Sequence, residues 1–281
     1  MARVIDNEAN VRLAAEAIQQ ADTLLVTAGA GMGVDSGLPD FRGNQGFWQQ
    51  HPIYAEQGLT FKDLASPDWF KRDPYKAWGF YGYLYHLYQN TQPHLGFALL
   101  KHWQAVKPIA GFVYTSNVDG HFQKAGFSDD RIYECHGSLH YLQCSRACHD
   151  LIWPVGRLPF DVDEHNMMAA GELPTCPQCG DIARPNILMF NDWDWLEQRS
   201  RQQYKRLMTW KHSVRGKRVV VIELGAGKKV GGVRYQGDTQ FRGSLIRINP
   251  REPQGPQKTI SLAMGALEAV VSVAEYLTDP M

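Results

Sequence analysis

The chain has 281 residues, and 29 Lys and Arg balance 29 Asp and Glu, so a broad electrostatic grip on nucleic acid is not expected. Hydrophobic residues make up 44%, which excludes disorder over the whole length and fits one large domain or a domain with insertions. Met1 to Asn10 carry charge without the apolar centre of an export signal, and no run reaches the roughly 20 apolar residues of a membrane span, so a cytoplasmic protein is expected.

Val11, Ala14, Ala15 and Ile18 recur at helical spacing, which predicts a helix over Asn7 to Ala21. The apolar run Thr23 to Thr27 reads as a strand, and it runs into Ala28-Gly29-Ala30-Gly31-Met32-Gly33. A strand, a glycine turn and then a helix is the entry to a dinucleotide-binding α/β unit. Residues Asn44 to Asn90 are rich in aromatics, among them Trp48, Trp69, Trp78, Tyr81 and Tyr88, and read as inserted helices whose aromatic stripe serves packing. Strands resume at Gly111 to Thr115, Lys217 to Leu224 and Ser244 to Ile248, and Leu262 to Leu277 reads as a closing helix. Strands alternating with helices predict an α/β fold, a Rossmann-like parallel sheet with helices on both faces.

Gln143 to Asp181 break the periodicity with prolines and cysteines. Cys144 and Cys148 flank three residues, and Cys176 and Cys179 flank two. Two such thiolate pairs suit one tetrahedral zinc, and four protein ligands leave no open position, so the predicted role is structural: the metal holds an insert too small to bury a core. His149 is a competing ligand, with the four thiolates preferred. Cys135 is left over beside His136. Neighbours in an extended chain point to opposite sides, so the pair need not touch, and Cys135 reads as a structural cysteine.

Gly29, Ala30, Gly31 and Gly33 allow close backbone approach to a pyrophosphate. The following loop sets Asp40, Phe41 and Arg42 side by side, with Arg42 suited to phosphates and Phe41 to a ring.

Gly29 to Gly43 resembles the glycine and Pro-Asp-Phe-Arg signature of the sirtuin family. Thr115-Ser116-Asn117-Val118-Asp119, His136-Gly137-Ser138, the four cysteines, Arg184 to Phe190 and Ile248-Asn249 resemble its further motifs in the same order, from about residue 20 to about 270. The resemblance implies a single catalytic unit over 1–281. Its large Rossmann-like domain takes 1–43, 92–140 and 183–281, its helical insert 44–91 and its zinc insert 141–182; the insert and the zinc ribbon form a small domain. NAD is implied as a co-substrate beside one structural zinc, and an acyl-lysine protein or peptide as the partner. In the family, the acyl oxygen attacks the nicotinamide ribose, nicotinamide leaves, and the acyl group ends on ADP-ribose. Carried over, His136 is the base acting on the ribose hydroxyls, Asn117 positions ribose or a bound water, and Asp119 binds the nicotinamide carboxamide. Asp40, Phe41, Arg42, Ser116, Gly225, Ala226, Gly227 and Asn249 join the glycine loop in holding NAD.

The chain departs from the family pattern at several points. Ser116 replaces Gln, Gly33 replaces Ser, and Gly225-Ala226-Gly227 replaces Gly-Thr-Ser, where Lys228 or Lys229 could supply charge. Asn191-Asp192-Trp193 stands where Gly-Glu is common on the peptide side. Tyr81 matches the acidic-acyl members but Leu84 stands where they carry Arg, so neutral acyl groups are expected. A mono-ADP-ribosyltransferase or NAD glycohydrolase is the alternative reading, and a non-catalytic NAD or ADP-ribose module a further one.

Overall fold

The structure is a computed structural model that describes residues 5–40, 52–228, 231–238 and 243–277. Helix α1 (Asn7–Gln20) starts at Asp6, whose carboxylate accepts from the Ala9 N–H, and buries Val11, Ala14, Ala15 and Ile18. Strand β1 (Thr23–Ala28) is buried at all six positions, as expected of a strand covered on both faces. It lies at the centre of a six-stranded sheet with β2 (Phe112–Thr115), β3 (Ile132–Glu134), β9 (Val219–Leu224), β10 (Leu245–Ile248) and β11 (Ile260–Leu262). The order is β11-β10-β9-β1-β2-β3, and every neighbouring pair is parallel.

Alternate side chains divide between two cores. Leu24, Val26 and Ala28 pack with α1, α6 (Leu95–Ala105) and α10 (Ala266–Ala274). Leu25 packs on the other face with Leu207 and Trp210 of α8 (Gln198–Ser213) and with Val233 of α9 (Gly231–Asp238). Glu223 and Arg247 face each other in the register of β9 and β10, both buried. Arg247 Nε donates to Glu223 Oε1 at 2.6 Å and Nη2 to Oε2 at 2.9 Å, so each buried charge is paired.

A third core joins the helical insert to the cysteine-bearing segment. The insert supplies α2 (Pro52–Glu56), α3 (Phe61–Leu64), α4 (Asp68–Arg72) and α5 (Pro74–Asn90). The other partner is a three-stranded sheet of β5 (Trp153–Pro154), β4 (Gly137–Cys144) and β8 (Ala183–Ile187), with the hairpin β6 (Phe160–Asp163) and β7 (Met168–Gly171). Trp78, Phe80, Tyr81, Tyr85 and Tyr88 are buried in this core, and the Trp78 Nε1–H donates to the Ala183 carbonyl at 3.0 Å. Contact at Gly79 is so close that a Cβ there would stand 2.0 Å from the Met167 carbonyl oxygen. The remaining short helix, α7 (His121–Lys124), follows β2.

Two expectations are corrected. The closing helix begins at Ala266, not Leu262, because Leu262 belongs to edge strand β11. No α-helix follows the glycine turn directly. The chain instead makes two 3-10 turns, Ala30–Met32 and Val34–Ser36, closed by Gly37 at φ +92°. Trp48, Phe41, Arg42 and Lys229 lie outside the described residues. Among the described residues, no helix is long and apolar enough to cross a membrane.

Candidate active site

A parallel sheet delivers the C-terminal ends of its strands to one edge, where ligands of α/β folds bind. The residues after β1, β2, β3, β9 and β10 meet there through a continuous series of contacts. Gly29 follows β1 and Gly225 follows β9, and their loops touch backbone to backbone. A Cβ on Gly31 would stand 2.7 Å from Gly225 Cα, and one on Gly29 would stand 2.9 Å from the Gly225 carbonyl oxygen. Gly225 itself adopts φ +61°, where a side chain is strained. Glycines at Gly29, Gly31 and Gly225 thus let the two loops pack backbone to backbone at the edge of the sheet, leaving a glycine-rich cradle.

The cradle is held from behind. The Ala226 carbonyl accepts from Asn249 Nδ2 at 2.9 Å and from Arg234 Nη2 at 3.0 Å and Nε at 3.2 Å. Asn249 Oδ1 accepts the Arg251 and Glu252 N–H groups, so its amide bridges both loops. On the other side, His94 Nδ1 accepts the Gly96 N–H, which leaves Nε2 to donate to the Met32 carbonyl at 2.9 Å. Ser36 Oγ accepts the His94 N–H, and Asp35 caps the start of α10 by accepting the Leu267 N–H. Gly33 sits against Leu38: a Cβ there would lie 3.1 Å from its side chain, so a serine at this position would press on Leu38.

The Ser116 N–H donates to the Ala28 carbonyl at 3.1 Å, and Asn117 Nδ2 donates to the Gly29 carbonyl at 3.1 Å. The loop after β2 is therefore fixed to the cradle. His136 hydrogen-bonds the Ser116 backbone, and burial holds its imidazole below the ordinary histidine range, with that bond opposing the shift. The ring is thus neutral at pH 7 and able to accept a proton. Asp119 is buried, and desolvation, assisted by nearby Glu134, pushes its carboxyl up to about 6. These contacts join Gly29, Gly31, Ser116, Asn117, His136, Gly225, Ala226 and Asn249, and Asp119 follows Asn117 in the same turn. Asp40 lies at the rim, 3.4 Å from Arg251, and Lys228 pairs with Glu252 at 4.0 Å.

Cys135 packs beside Tyr114 and hydrogen-bonds it, and burial pushes its thiol up to about 11, which suits a structural cysteine. Sequence reasoning missed Arg234, His94 and the Glu223–Arg247 pair. An acid and an arginine inside otherwise apolar strand runs were the available signal for that pair.

Cys144, Cys148, Cys176 and Cys179 place their Sγ atoms within 4.8 Å of one another. Cys144 to Cys179 and Cys148 to Cys176 are both 3.7 Å. A tetrahedron with Zn–S bonds of about 2.3 Å has sulfur–sulfur edges of about 3.8 Å, so the donor set fits one structural zinc. His149 Nδ1 accepts the Leu151 N–H, and its Nε2 stands 3.0 Å from Cys176 Sγ, placed to donate to a thiolate as a neighbour of the four sulfurs.

On the opposite wall, Arg184 and Asp192 form a fully buried bidentate pair at 2.8 and 2.7 Å. Leu188 donates its N–H to the His136 carbonyl, Phe190 to that of Ala65, and Trp193 is 95% exposed.

A family model described as "Sir2 family" matches residues 29–214, more than half of the chain. An NAD-dependent protein deacylase 2 from Pseudomonas aeruginosa is 30% identical over 189 residues, 67% of this chain and 68% of that protein. An NAD-dependent protein deacetylase from Saccharolobus solfataricus is 32% identical over 184 residues, covering 64% and 65%. The chain thus spans about two thirds of the length of these relatives. A solved structure described as a Sir2 homolog–NAD complex superposes with a TM-score of 0.69 at 25% identity, over 94% of this chain and 93% of that one.

Proposed function

The chain belongs to the Sir2 family, and on that premise we infer that it is an NAD-dependent protein-lysine deacylase that moves the acyl group to ADP-ribose and releases nicotinamide. The observation that carries this reading is the unbroken run of contacts from His136 through Ser116 and Asn117 to the Gly29–Gly225 cradle. It sets a base beside a glycine-rich backbone cradle, as cleavage at a ribose requires.

NAD supplies an ADP-ribosyl group with nicotinamide as its leaving group. The cradle holds the pyrophosphate, and Asn249 with Arg234 keeps its far lip in place. Asn117, tied to Gly29, positions the ribose, and Asp119 accepts from the nicotinamide carboxamide. The acyl oxygen adds at the anomeric carbon as nicotinamide leaves; His136 then takes the proton of a ribose hydroxyl whose oxygen attacks the acyl carbon, and water completes the release of the free lysine amine with the acyl group left on ADP-ribose. Ser116 is too short for the reach of a Gln, so its contribution is made through its backbone. Phe41 and Arg42 complete the cover over NAD in this reading. The zinc holds the far end of β4 at Cys144 and takes no part in the bond changes. The three-part division, with the helical and zinc segments inserted into one Rossmann-like domain, belongs to the same proposal. A cytoplasmic setting suits four reduced cysteine ligands.

The acyl group is neutral. Leu84 is buried and apolar, and Arg184 near Tyr81 is committed to Asp192, which leaves it unavailable to a succinyl carboxylate. The test is nicotinamide release from NAD with acetyl-lysine and succinyl-lysine peptides, beside a His136→Ala control. Release that depends on the acetyl peptide and vanishes in the control is expected. Release without any peptide would favour NAD hydrolysis, and preference for the succinyl peptide would overturn the neutral-acyl reading.

A further inference from the structure

His140 of β4 is not part of the machinery above, yet it touches the turn that carries Asp119. Its Nε2 lies 2.9 Å from the Asp119 carbonyl oxygen, and its Nδ1 lies 3.2 Å from the Gln89 amide nitrogen at the end of α5. A carbonyl oxygen only accepts and an amide nitrogen only donates. The ring therefore carries a proton on Nε2, directed at Asp119.

The same ring lies against Gly120. That residue adopts φ +70°, and a Cβ there would stand 2.5 Å from Cδ2 and Nε2 of His140. One residue earlier on β4, the Leu139 N–H donates to the Val118 carbonyl at 3.0 Å. Strand β4 thus grips Val118, Asp119 and Gly120 in succession. Beyond the turn, the His121 N–H donates to Asp119 Oδ1 at 2.9 Å, which ties the carboxylate to the same turn.

We propose that His140 is a positioning residue for Asp119: its Nε2–H fixes the Asp119 peptide plane and thereby sets the affinity of the site for the nicotinamide carboxamide. The proposal rests on Asp119 as the carboxamide acceptor. Because β4 ends at the zinc ligand Cys144, the strand ordered by the metal is also the one that shapes the nicotinamide turn.

The test compares wild type with His140→Leu and His140→Gln. Leucine keeps much of the volume and cannot donate, whereas the glutamine Nε2 reaches about as far as the imidazole Nε2 and can. Inhibition by nicotinamide, ADP-ribose affinity and melting temperature are measured on each full-length protein. Leucine is expected to weaken nicotinamide about tenfold, the factor for one well-made neutral hydrogen bond, and glutamine to recover most of it. ADP-ribose affinity should stay at the wild-type value, while the melting temperature of His140→Leu falls modestly with the lost hydrogen bond and recovers in His140→Gln. Unchanged nicotinamide inhibition in His140→Leu, or a parallel loss of ADP-ribose affinity, would overturn the proposal. A wild-type protein that releases no nicotinamide from NAD would overturn it together with the reading of Asp119.

Discussion

Replacing Gly31 with alanine probes the cradle with a single methyl group. Its Cβ would stand 2.7 Å from Gly225 Cα and 3.0 Å from the Gly225 carbonyl oxygen, against a normal carbon–carbon contact of about 3.5–4.0 Å. The obstructing atoms are backbone, so no side chain can turn aside. The loops must part by about 1 Å, and overpacking of this kind costs about 1–3 kcal/mol. A displacement of about 1 Å in a reacting site can cost about 100-fold in rate. The expected result is a loss of ADP-ribose affinity and a kcat/KM for NAD lower by about two orders of magnitude, with zinc content unchanged. Calorimetry with ADP-ribose and initial rates on an acetyl-lysine peptide read these directly. Binding within twofold of wild type would refute the cradle as the pyrophosphate site.

Further outcomes follow from the charged groups and the metal. Asp119 has its carboxyl pushed up to about 6 from 3.8, so the folded state binds the proton more tightly than the unfolded one. Its ionisation therefore costs stability as pH rises from about 4 to about 6, and by about 3 kcal/mol in full above that. Asp119→Asn should accordingly raise the melting temperature at pH 7 while abolishing NAD cleavage, and lowering the pH through about 6 should reduce kcat/KM in wild type. Asp192→Ala leaves the Arg184 guanidinium buried without its carboxylate and should cost about 3–5 kcal/mol in denaturant unfolding, whereas removal of an exposed ion pair such as Arg12–Glu8 should be nearly silent. Chelating the metal should release one zinc per chain, unfold the segment around β5 to β7 by hydrogen exchange, and leave the β1, β2 and β9 amides protected. Trp193→Ala should leave stability unchanged, since the indole is almost wholly exposed, and should raise KM for peptide.

Four strands of the large sheet, β1, β2, β9 and β10, were legible because each is a short, nearly unbroken apolar run, which is what burial on two faces demands of β1 and β9. The zinc site was legible because its ligands come as two close pairs in a segment without periodicity. Strands β3 and β11 were missed: three residues each are too few to show a period, and Leu262 at the end of β11 also fits the helical pattern that follows. The 3-10 turns after Gly29 were missed because local glycine content does not distinguish a helix start from a looser turn. His94 and His140 act through backbone carbonyls distant in sequence, at Met32 and Asp119, and Arg234 turns back on Ala226, ahead of its own helix; such pairings arise only once the chain is folded. The Asn191-Asp192-Trp193 departure divides in the structure into an inward Asp192 that neutralises Arg184 and an outward Trp193.

The central claim is that one site joins NAD cleavage to acyl transfer, and the mass of the ADP-ribose product tests it most directly. Purified protein would be incubated with NAD and a peptide whose lysine carries a deuterated acetyl group, and the nucleotide analysed by mass spectrometry. ADP-ribose carrying the deuterated acetyl, in equal amount to free nicotinamide and absent from His136→Ala, is the predicted result. Unlabelled ADP-ribose alone, or ADP-ribose attached to protein while the peptide keeps its acetyl group, would contradict it.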